Sequence, residues 1–191
     1  MSNRFDDCRL TALEEQAYAE AREHFAEHLK QFLVSREAVE RLERNIAKTA
    51  LAANMAASKP TPKENIIPVD GSGQWHKNVD LMDNICLCHR PITGGAEYAV
   101  VEHSPARGTN EIWNRGWNAV EVLKAFAQEQ RRALQIWTED LTAQVKEFLV
   151  EKYHGQDMSR AANSFMHRFT HAVSQQHSQS HEQNHSRGVR I

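Results

Sequence analysis

At 191 residues, with a formal net charge of -2 and a mean hydropathy of -0.65, the chain has room for one ordinary domain or an elongated one with an insert. Its charge is too balanced for a nucleic-acid binder recognisable from composition. No run approaches the roughly 18 apolar residues that span a bilayer, and "MSNRFDDCRL" lacks a basic n-region and an apolar h-region, so no membrane segment and a cytoplasmic location are expected.

Three cysteines, Cys8, Cys86 and Cys88, with two of them only two apart, make a poor disulfide framework and suit a reducing compartment. The charge is unevenly placed. From Ser159 onward four arginines stand against one acid, a net +3 that leaves -5 for the rest. A polyanion would therefore meet the carboxyl end, where Arg187 and Arg190 lie.

From Thr11 to Ser58 there is neither glycine nor proline, and good helix formers dominate. Tyr18, Phe25, Phe32, Val39, Ile46 and Ala53 follow one another by sevens, widened by Leu10, Leu13, Ala21, Leu29 and Leu42. One helix of about 47 residues would be roughly 70 Å long. The alternative is two helices, the second capped by Ser35. "SKPTPKENIIPVDGSGQW" ends this segment as a connector, and "AEYAVVEH" with "NEIW" reads as a β-hairpin across "SPARGT".

Asn118 is a candidate N-cap for the next helix, on which Val120, Ala127, Leu134, Leu141 and Phe148 again step by sevens. Gly155 marks its end, and a third helix is expected from Ser159 to about Gln175. The fold expected is mainly α, a long helical hairpin or coiled-coil bundle with a small inserted β-hairpin module. Its parts are a long helix or two over 1–58, the linker and module over 59–116, the long and third helices over 117–176, and a disordered histidine-rich tail over 177–191.

Chemistry concentrates in "CLCHRPITGG". Two thiolates in a turn suit zinc, with His103 as third ligand and His89 or His76 as fourth, although zinc knuckles usually space their cysteines by two residues and here there is one. The candidate metal set is thus Cys86, Cys88, His89 and His103, and the cofactor is zinc or none. Half-buried cysteines in a hairpin are the plain alternative. The pairs His24 with His28 and His167 with His171 each share a helix face and could chelate a metal between helices. In the tail, His177, His181 and His185 continue the four-residue spacing.

"CLCHRPI" followed by "VVEHSPARGTNEIWN" resembles the front of a treble-clef HNH nuclease finger over residues 85–114. The resemblance implies His103 as general base, Glu102 beside it and Asn114 orienting the histidine. The following "WNAVEVLKAFAQEQRR" carries neither the metal-binding histidine nor the second cysteine pair of that family, so what is implied is a degenerate finger.

Trp113 and Trp117 flank the module and are candidate contact residues, with Arg187 and Arg190 at the terminus. These residues together suggest a non-enzymatic helical scaffold that binds a protein or a protein–nucleic acid assembly, with a homodimer left open. The alternative is a metal-dependent nucleic-acid-processing protein.

Overall fold

A computed structural model describes residues 10–165 and 167. By its internal contacts the chain divides into two compact units, Met1–Phe32 with Gln135–Ile191, and Leu33–Leu134.

In the first unit, helix α1 spans Ala12–His24. Thr11 caps it: its hydroxyl accepts from the Glu14 amide at 3.2 Å, and the Glu14 carboxylate accepts from the Thr11 amide at 2.7 Å. The break before helix α2, Ala26–Ala57, falls at Phe25 and not at Ser35. Helix α3 spans Ala119–Lys152, and residues 159–165 form a short helix, α4. Ala17, Ala21, Phe25, Leu29 and Phe32 are buried here, as are Leu141, Val145 and Leu149, and Ala161, Ala162 and Phe165. Aromatic edges join them, Phe25 to Phe148 at 5.7 Å and Tyr18 to Phe165 at 6.0 Å.

The second unit is built on a five-stranded antiparallel meander: β1 Ile66–Val69, β2 Gly73–Met82, β3 Ile85–Ile92, β4 Gly95–Ser104 and β5 Thr109–Gly116. Tight turns join the strands, with Asn84 (φ 60) and Gly94 (φ 87) supplying the left-handed backbone at two of them. The sheet curls until its first and last strands meet. The Asp70 amide donates to the Asn110 carbonyl at 3.2 Å, and Asn110 Nδ2 donates to the Pro68 carbonyl at 2.9 Å.

Each face of the curl has its own core. On the outer face Leu81, Leu87, Tyr98 and Val100 pack with Leu42, Ala50 and Ala53 of α2 and with Ala119, Val122, Leu123, Phe126 and Ala127 of α3. On the inner face Val69, Trp75, Cys86, Cys88, Ala99 and Val101 gather, with Ile67 and Ile112 against them. Arg90 covers this inner cluster: its guanidinium lies 4.9 Å from the centre of the Trp75 ring and 2.6 Å from Glu97, a nearly buried carboxylate that Arg115 approaches at 3.8 Å.

This architecture corrects the expected coiled-coil bundle with a small hairpin. The protein combines helices with a curled five-stranded sheet and is neither a coiled coil nor a helical bundle. The physical reason lies in what covers the apolar stripe. A seven-residue repeat states that one helix face must be buried. Leu42, Ala50 and Ala53 bury theirs in a cluster that includes sheet residues, where a bundle would place only helices.

Candidate functional site

The four candidate metal ligands do not converge. Side chains alternate across a strand, so Cys86 and Cys88 share the inner face of β3 while His89, one residue on, turns to the outer face. There His89 Nδ1 donates to Asn78 Oδ1 at 2.7 Å, and Asn78 Nδ2 donates to the Ala53 carbonyl of α2 at 3.2 Å. His103 lies exposed near the end of β4, with Nδ1 2.9 Å from Asn110 Oδ1. Among the described residues no group of three or more histidine, cysteine or acidic side chains is placed to hold a metal ion.

The residues of the finger-like segment are also apart. Asn114 donates through Nδ2 to the Val122 carbonyl of α3 at 2.8 Å, and the amide beside His103 belongs to Asn110. Glu102 accepts from Trp113 Nε1 at 2.6 Å. The start of α3 turns Val122, Leu123 and Phe126 toward the sheet. His24 stacks on Phe148 at 4.3 Å, and His28 meets the Phe25 ring at 6.1 Å. His171, the three tail histidines, Arg187 and Arg190 lie outside the described residues, as do residue 166 and everything after 167 in the helix expected from Ser159 to about Gln175.

One histidine pair was hidden from local spacing. His76 and His89 face each other across β2 and β3 with ring centres 5.0 Å apart, and His76 Nδ1 is 2.8 Å from Thr61 Oγ1. Burial, reinforced by His76, holds the protonation of His89 below the usual imidazole range. The unfolded chain, with a histidine pKa of about 6.5, binds that proton more readily, so stability is complete above about pH 6.5 and is lost as pH falls through the folded value. The melting temperature is expected to fall on acidification from pH 7.5 to 5. His89→Gln, which keeps a donor for Asn78 but takes up no proton, should flatten the decline, as a pH series of thermal melts would show.

The tryptophans stand differently. In the β4–β5 ladder Val100 opposes Asn114 and Val101 opposes Ile112, which leaves Trp113 as the extra residue of a bulge. The bulge sets its ring edge-on to Phe126 at 5.7 Å, and it remains 44% exposed. Trp117 is 70% exposed, in the two-residue passage from β5 to α3.

That passage is held on both sides. A Cβ at Gly116 would stand 3.3 Å from the Val122 side chain, so glycine allows the strand end to approach the helix closely. Asn118 Oδ1 accepts from the Val120 amide at 2.9 Å and caps α3. Beside Trp117 opens a cleft of about 390 Å³, bordered by Asn54, Ile92, Gly94, Gly95 and Tyr98.

Comparison of the chain with protein-family models, with curated proteins and with solved structures gives no match. No helix among the described residues is long and apolar enough to cross a membrane.

Proposed function

We propose that this is a non-enzymatic interaction protein whose sheet-bearing unit presents Trp117 and its adjoining cleft to a protein partner. The observation that carries the reading is a large indole, 70% exposed, on a passage anchored by a strand end and a helix cap. Tryptophan is enriched among the residues that dominate binding energy, because one side chain contributes much apolar area with few rotors to immobilise. A fixed backbone lowers the ordering cost further. Trp113 widens the surface toward β4, with its indole N–H satisfied by Glu102.

The cleft contributes shape and polar anchoring. Gly94 and Gly95 leave the β3–β4 turn without side-chain bulk, and Asn54 and Asn118 offer amides along its border. The positively charged carboxyl segment with Arg187 and Arg190 would add electrostatic attraction where the partner belongs to a nucleic-acid assembly.

The test begins with immobilised wild-type protein and immobilised Trp117→Ala exposed to the same cell extract. A protein retained by the first and lost from the second identifies the partner. Identical retained sets would remove Trp117 from any interface.

A further inference from the structure

The inner core of the curled sheet includes a pair of neighbouring thiols. Cys86 and Cys88 are two residues apart on β3, on the same face, with Sγ atoms 3.4 Å from each other. Cys86 lies toward the edge of the inner cluster at 9% exposure, and Cys88 is at 0%. Lys77 of β2 stands opposite Cys88 in the ladder, and its ammonium group lies 2.7 Å from Asp80. We propose that Cys86 and Cys88 form a two-electron redox site that a hydroperoxide converts to a reversible intrastrand disulfide, with Cys86 the attacking thiol and Cys88 the resolving one.

The assignment of roles follows from position. The two sulfurs share one hydrogen bond that either thiol can donate; with Cys88 as the donor, the Cys86 thiol is shifted down, helped by Lys77 and opposed by burial. Cys88 is held protonated by that same hydrogen bond and by burial. Cys86 is also the more exposed residue of the two, at 9% against 0%.

In the first step the Cys86 thiolate attacks one oxygen of the hydroperoxide and the O–O bond breaks. An S–O bond forms, giving a sulfenic acid, and the departing alkoxide or hydroxide takes the proton released from Cys86. In the second step Cys88 sulfur attacks the sulfenic sulfur. The S–O bond breaks, hydroxide leaves with the Cys88 proton as water, and the S–S bond forms. The dithiol loses two electrons and two protons, and hydrogen peroxide is reduced to two waters.

Geometry also permits the bridge. The sulfurs must close from 3.4 Å to about 2.05 Å, and residues two apart on an extended strand have Cα atoms about 6.6 Å apart, near the upper edge of the disulfide range. An added thiol reopens the bridge through a mixed disulfide.

The experiment treats the reduced full-length chain with hydrogen peroxide, alkylates free thiols and weighs the peptide that holds both cysteines. The expected result is a loss of about 2 Da with no alkyl group on that peptide, restored to two alkylatable thiols by dithiothreitol. Peroxide with dimedone should label Cys86 in Cys88→Ser and leave Cys88 unlabelled in Cys86→Ser. Two free thiols in the treated wild-type chain would overturn the site without recourse to any variant. Labelling of Cys88 with none on Cys86 would overturn the assigned roles.

Discussion

Replacing Phe126 by alanine is expected to destabilise the sheet-bearing unit by about 3 to 5 kcal/mol, the usual range for deleting a fully buried phenyl ring. Phe126 is 0% exposed within the cluster that holds α3 to the outer face of the sheet, and the Trp113 ring rests edge-on against it. Its loss leaves a cavity under the β4–β5 bulge, so Trp113 should lose its fixed environment as well. Urea unfolding would measure the first effect, and near-ultraviolet circular dichroism the second. Full stability in Phe126→Ala would mean that α3 and the sheet do not form the core described for this unit.

Phe32→Ala is the counterpart in the other unit. Phe32 is 3% exposed and meets the Trp137 ring edge-on at 5.5 Å. The expected loss is again about 3 to 5 kcal/mol, a large share of the roughly 5 to 15 kcal/mol that holds a typical domain. The same phenylalanine belongs to the seven-residue stripe, which could equally have been an exposed recognition surface. Burial decides between these uses: an exposed stripe would leave the melting temperature nearly unchanged on truncation.

The long helices are legible in the sequence because α2 and α3 contain no glycine or proline and keep an apolar residue every seventh position. β4 and β5 were legible too, since "AEYAVVEH" and "NEIW" are rich in strand formers. β2 was not. Its register shifts between Lys77 and Val79 and again between Asp80 and Met82, so its apolar residues fail to alternate. β1 contains Pro68 and reads as connector, a placement that the first strand of a sheet tolerates. β3 was obscured by its own chemistry: "ICLCHRPI" reads as a knuckle when cysteine and histidine are taken for ligands, whereas strand alternation divides them between two faces.

The candidate site was legible by residue type and not by exposure. Trp113 and Trp117 stand out as tryptophans beside a turn-rich segment, but only packing separates Trp75, at 0% exposure, from Trp117, at 70%. The His76–His89 pairing depends on strand register, which no local spacing encodes.

If the exposed indole of Trp117 is the contact for a protein partner, its truncation weakens that contact without unfolding the protein. The most direct test is the dissociation constant of the captured partner for wild-type protein and for Trp117→Ala, measured with both proteins folded. Because the side chain is largely exposed, the substitution should change stability by no more than about 0.5 kcal/mol. Affinity should fall by about thirtyfold or more, which corresponds to the roughly 2 kcal/mol threshold of a binding hot spot. Equal dissociation constants for the two proteins would contradict the account.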